Sequence, residues 1–213
     1  MFARDELPES DRDGACRVLV VKCAATTCMF AHAAPHKGVD PDGSIIDRLK
    51  EVSVMFGVAQ VEAGADALTF PDHATGDLVS GEYYERYLKD IHTEMVERIP
   101  CPLILHICGR TVDRMPFIAE TGMASFHFDS KNTPEESMDT VERRISMVGN
   151  INNPETLYAR TTDEVRNEVT RNLDACVQMV GPECAIPLQT PLDNLLEIPR
   201  AVREWHDDRN SAS

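Results

Sequence analysis

Pro102-Leu103-Ile104-Leu105-His106-Ile107-Cys108-Gly109 is a short apolar run that ends in two soft metal donors and a glycine. A run this brief, entered through Pro100 and Pro102, reads as a buried strand. Side chains two apart on a strand share a side, so His106 and Cys108 project together. A third soft donor, Cys184, stands much later in the chain, in Gly181-Pro182-Glu183-Cys184-Ala185-Ile186-Pro187. One imidazole and two thiolates make three ligands for zinc, with one position left open for chemistry. An isolated His-x-Cys is more often a core histidine beside an ordinary buried cysteine. Its place at a strand's end, immediately before Gly109, weighs against that reading.

Outward from this strand, elements alternate. A helical pattern spans residues 44–62, with Ile45, Ile46, Leu49, Val52, Met55, Phe56 and Ala59 near a 3.6-residue period, and Ala63-Gly64 ends it. Strands are expected at residues 66–70, 102–107, 124–128, 145–148 and 177–180. Helices are expected at 81–99, 112–120, 134–143 and 162–176, with Thr133 and Thr161 placed to open the last two. A final helix starts at Thr190-Pro191, since proline is tolerated in a first turn. Residues 1–43 are irregular apart from one possible strand in Arg17-Val18-Leu19-Val20-Val21-Lys22, and residues 206–213 form a polar tail. Strands alternating with helices imply an α/β fold with a parallel sheet.

The polar residues then fall into place. Asp72 and His73, His106 and Cys108, Asp129, Asn150 and Asn152, and Cys184 all sit at or just past carboxyl ends of strands. That end is where a βα barrel gathers its active site. Asp129 is a second acidic candidate, against the alternative of a solvated loop acid. Asp72 could orient a metal-bound imidazole or contact substrate, or serve only as a turn residue. His73, His92 and His127 read as loop, helix and strand residues outside the site.

Composition narrows the function classes. The chain has 213 residues, 42% hydrophobic and 27% charged, which suits one globular domain or one large part of one. A formal charge of −15 argues against nucleic acid or an anionic membrane as partner. No apolar run approaches the roughly 20 residues of a membrane span, and the opening residues are too charged for a secretory signal, so a cytoplasmic location is expected. Seven cysteines in a reducing compartment point to metal binding, catalysis or burial rather than disulfides.

Leu105-His106-Ile107-Cys108-Gly109, Glu62-Ala63-Gly64-Ala65-Asp66-Ala67, the stretch Asp72-His73-Ala74-Thr75-Gly76-Asp77, Gly149-Asn150, and Cys184-Ala185-Ile186-Pro187-Leu188-Gln189-Thr190-Pro191 together resemble the uroporphyrinogen decarboxylase superfamily. Within it they are similar to the cobalamin-dependent methyltransferase branch. The resemblance implies a (β/α)8 TIM barrel, here incomplete at the N-terminus with five to six of the eight units. It implies zinc held by His106, Cys108 and Cys184, with a nearby acid, Asp129 by count along the strand, able to take the fourth position. Asn150 and Gln189 are the cofactor-binding candidates, and Asp129 and Asp72 the catalytic ones. The implied reaction moves a methyl group between a corrinoid such as methylcobalamin, on a partner corrinoid protein, and a small thiol such as coenzyme M. Because the matching portion is short, a homo- or hetero-oligomer completing the barrel is expected. The alternatives are a non-catalytic or split-subunit relative and a zinc-independent decarboxylase-like enzyme.

Overall fold

The structure, a computed structural model, describes residues 20–22 and 44–211. Six strands form one sheet: β1 (Val20–Lys22), β2 (Ala67–Asp72), β3 (Leu103–Ile107), β4 (Ser125–Phe128), β5 (Ser146–Ile151) and β6 (Met179–Pro182). They lie side by side in chain order, every pair parallel. The connections carry α1 (Ser44–Glu62), α2 (Gly81–Tyr87), α3 (Lys89–Arg98), α4 (Met115–Ile118), α5 (Pro134–Val141) and α6 (Thr162–Asp174); α7 (Leu192–Ser211) follows β6. Sequential parallel strands joined through helices are the progression of a TIM-type barrel. Among the described residues the sheet is open, β1 and β6 each having one neighbour.

Alternation along the strands separates the two faces of the sheet. Leu68, Phe70, Leu105, Ile107, Phe126, Phe128 and Met147 are sealed against the helix layer. The register pairs Pro71 with His106 and His106 with His127, so these residues share the opposite, concave face. Thr69, Pro71, Ile104, His127 and Val148 on that face are only half-buried, and Met179 is exposed. A second apolar cluster, Ile151, Leu157, Val165, Val169, Leu173, Ile198 and Ala201, packs α6 and α7 together beside the end of β5.

Helix starts follow the capping chemistry. Ser80 accepts from the Tyr83 amide, Thr133 from the Glu136 amide, and Thr161 forms a reciprocal box with Glu164. Boundaries depart from the sequence pattern in several places, with β2 and β5 running on to Asp72 and Ile151. The expected helix 81–99 breaks at Leu88, whose backbone opens to φ −116° while its side chain is buried. The break lets Tyr84 Oη meet His92 Nδ1 at 2.7 Å across it. The expected helix 112–120 is a 3-10 turn, Val112–Arg114, followed by one short turn of α4, because Pro116 lacks the amide a continuous helix needs there. The last strand lies at 179–182 rather than 177–180: Cys176 turns left-handed, and the Gln178 side chain, not its backbone, takes the Met147 amide at 2.7 Å. Residues 206–211, read as a polar tail, continue α7, with Arg209 4.4 Å over the Trp205 ring. Of the possible strand in residues 17–22, Val20–Lys22 is a strand; the rest lies outside the described residues.

Cys176 occupies φ +67° at the end of α6, a conformation in which a Cβ crowds the backbone. Its side chain is exposed. Cys176→Gly is expected to raise stability by about 0.5–1 kcal/mol, read as a higher denaturant midpoint with unchanged slope.

No helix among the described residues is long and apolar enough to cross a membrane.

Candidate metal centre

β3 delivers His106 on the concave face, and Cys108 follows with the same parity as the strand ends. Gly109 sits at φ +76°, and any Cβ there would collide with Thr75 Oγ1, so glycine lets the chain turn away directly after Cys108. Cys184 arrives from the loop after β6. His106 Nε2 lies 3.1 Å from Cys108 Sγ, and the two sulfurs are 3.3 Å apart. All three donor atoms fall within 4.8 Å of one another, the one such group among the described residues. In tetrahedral zinc, bonds of about 2.3 Å to sulfur and 2.0 Å to nitrogen put neighbouring donors roughly 3.5–3.8 Å apart. The donors present thus need to spread by only a few tenths of an ångström, and the cluster fits a metal ion of this kind.

The imidazole is already oriented. His106 Nδ1 donates to the His127 carbonyl at 3.2 Å, which leaves Nε2 with its lone pair toward the sulfurs. A hydrogen bond joins the two sulfurs. The contact with Cys108 draws Cys184 well below the ordinary thiol range, while the same contact and burial push Cys108 up. A ready thiolate is the form a soft metal takes.

Three other groups shape the mouth. Asp129 accepts the Gly109 amide at 2.9 Å with one oxygen and the Lys131 amide at 2.8 Å with the other. It braces the residue after Cys108 and stands outside the donor cluster. Asn132 takes the Thr111 amide at 2.8 Å and donates to the Gly109 carbonyl at 2.8 Å, lacing the β3 and β4 loops together. Asn150 is buried and donates to the Asn132 carbonyl at 2.7 Å.

Asp72 goes elsewhere. Its parity along β2 is that of Leu68 and Phe70, which face the helices, so the carboxylate meets His92 Nε2 of α3 at 3.2 Å and the Ala74 amide at 2.8 Å. Asp72 ends β2, but its side chain points to the other face from His106. Gln189 lies exposed in a turn beyond Cys184. His92 and His127, both read as bystanders, are not equivalent. His92 belongs to the Asp72–His92–Tyr84 chain in the helix layer. His127 stacks on His106 at 4.4 Å between ring centroids and donates from Nε2 to the Pro182 carbonyl at 2.8 Å. Burial, with His106 pushing the same way, pulls its pKa down to about 4, so the ring is neutral at pH 7. Glu183 was also passed over: it is buried, and burial raises its carboxyl above the usual range. An acid set between Pro182 and Cys184 in an otherwise apolar loop was the available signal.

An open run of parallel strands with soft donors at its carboxyl mouth defines a barrel-type α/β protein with a candidate metal centre. The chain belongs to the uroporphyrinogen decarboxylase family, whose family model, Uroporphyrinogen decarboxylase (URO-D), matches residues 29–205. It is 29% identical over 168 residues to a methylated-thiol--coenzyme M methyltransferase of Methanosarcina mazei, covering 78% of this chain and 46% of that one. It is 27% identical over 166 residues to the methylcobamide:CoM methyltransferase MtbA of Methanosarcina acetivorans, covering 76% of this chain and 49% of that one. A solved structure, a methyltransferase from Methanosarcina mazei, superposes with a TM-score of 0.83 at 23% identity, over 91% of this chain and 60% of the other. The chain spans about half the length of the curated relatives it matches.

Proposed function

We propose that this chain is a methyltransferase, moving a methyl group between a corrinoid carried on a partner protein and a small thiol such as coenzyme M, with zinc held by His106, Cys108 and Cys184. The observation that carries the reading is the convergence of the three donors at one mouth of the sheet. Relatives named for methyl transfer to coenzyme M, two of the three detailed above, support the chemistry. When bound, zinc supplies a Lewis acid that lowers the pKa of an incoming thiol, so that a thiolate is available at neutral pH. A thiolate so activated would take the methyl group from methyl-Co(III), the S–C bond forming as the Co–C bond breaks and its electron pair staying on cobalt as Co(I). His106 keeps its Nε2 lone pair available through the Nδ1 bond to His127, and Asp129 holds Gly109 so that Cys108 keeps its place. The cysteines described, Cys101, Cys108, Cys176 and Cys184, are all free, in keeping with a cytoplasmic setting.

A partner that completes the barrel belongs to the same proposal. The concave face is left half-covered, and Met179 on it, with Leu188, Leu192 and Leu196 next to β6, is exposed. Further strands adding at β6, from the same or another polypeptide, would cover them. The test is to follow methylcobalamin by its visible spectrum with coenzyme M, other thiols or tetrahydrofolate as acceptor. Demethylation that needs both a thiol and a loaded metal supports the proposal; a reduced, zinc-supplied protein that takes up no metal defeats it.

A further inference from the structure

We propose that Glu183 and His127 are positioning residues, whose task is to hold Cys184 at the metal centre. The proposal rests on the reading of His106, Cys108 and Cys184 as a metal site. Cys184 comes from a loop rather than a strand, and loops wander unless tied down. Here the residues on both sides of it are tethered to neighbouring loops and strand ends. The Pro182 carbonyl accepts from His127 Nε2 at 2.8 Å. The Glu183 amide donates to the Ile151 carbonyl at 2.9 Å. One Glu183 carboxylate oxygen accepts the Ser130 amide at 2.9 Å, the other the Asn153 amide at 2.9 Å. The Ala185 carbonyl accepts from Asn153 Nδ2 at 2.8 Å.

One carboxylate therefore joins the carboxyl ends of β4, β5 and β6, and the cysteine it serves is the next residue. Glu183 is only 6% exposed, and no lysine or arginine pairs with it among the described residues. A buried carboxylate without a cation is held at a desolvation cost that an apolar side chain would avoid. That cost is offset by two charge-assisted bonds to backbone amides, which fix direction as well as distance. His127 works from the other side. Its ring lies against His106 while its Nε2 holds Pro182, so one residue references the third ligand's loop to the first ligand.

Cobalt(II) added to the reduced chain provides the probe, since thiolate-to-cobalt absorption in the near ultraviolet grows with the number of sulfur ligands. Wild type is expected to show a two-sulfur band and Cys184→Ser a one-sulfur band. Glu183→Ala should fall to the one-sulfur level and lose about 10- to 100-fold in cobalt affinity. Glu183→Gln, which keeps an acceptor for one of the two amides, should recover part of both. His127→Phe preserves the ring against His106 but removes the bond to Pro182, and should weaken cobalt binding several-fold. A purely structural role would lower the melting temperature and leave the folded protein's two-sulfur band intact. That band at wild-type affinity in Glu183→Ala overturns the proposal. Should Glu183→Ala lose its far-ultraviolet circular dichroism, the same result in His127→Phe overturns it. A wild type that binds no cobalt refutes the metal reading itself, which is a separate failure.

Discussion

Cys108→Ser is expected to lower zinc content from about one ion per chain to near zero after dialysis, with affinity down roughly a hundredfold or more. The reason is both chemical and geometric. Serine is isosteric to within a few tenths of an ångström, but its hydroxyl stays protonated at neutral pH and is a poor ligand for a soft ion. Cys108 also stands between the other two donors, 3.1 Å from His106 Nε2 and 3.3 Å from Cys184 Sγ, so its loss leaves a pair rather than a triad. The fold should persist, because the side chain is half-buried at the mouth and outside both apolar clusters. Elemental analysis with circular dichroism separates the two effects. Cys101→Ser and Cys176→Ser should bind zinc as wild type; equal loss in all three would mean that the cysteines act together through stability, not ligation.

Arg114→Met is expected to destabilise the chain by about 2–4 kcal/mol, since two buried backbone carbonyls lose their donor. Arg114 is fully buried after β3. Its guanidinium donates to the Ala74 carbonyl, to the Val79 carbonyl at 2.9 Å and to Asp113 at 2.9 and 3.0 Å. It thereby stitches the loop after β2 to the turn after β3. Methionine fills much of the volume but leaves the Ala74 and Val79 carbonyls without their donor, whereas half-exposed Asp113 keeps the Gly81 amide at 2.8 Å. Lysine should rescue little, since an ammonium lacks the planar fork that reaches divergent acceptors. The denaturant midpoint is the measurement, with exposed Arg203→Ala as a control expected within about 0.5 kcal/mol of wild type. A small change in Arg114→Met would show that water satisfies those carbonyls.

The order of elements, the parallel sheet and the pairing of His106 with Cys108 were legible because each rests on local pattern, whereas Cys184 came from the family resemblance. Short apolar runs, helical periods and capping threonines are written within a few neighbouring residues. His106 and Cys108 share a side by strand parity alone. The errors arise where parity had to be compared between strands. Asp72 and His106 both end strands, yet one faces the helix layer and the other the concave side, and only the register of β2 on β3 reveals it. His127 was set aside because it opposes Phe126 and Phe128, although that same alternation puts it beside His106.

Residue order by itself determined a βα progression, a mouth lined with polar groups and a soft donor set spread over two distant segments. Tertiary structure decided which of those groups meet: Cys184 with the His-x-Cys strand, Glu183 and His127 around its loop, Asp129 on the Gly109 amide, Asp72 away with His92. The physical reason is range. Periodicity and capping act over a few residues, whereas the approach of side chains far apart in the chain depends on strand register and loop tethers that no local pattern encodes.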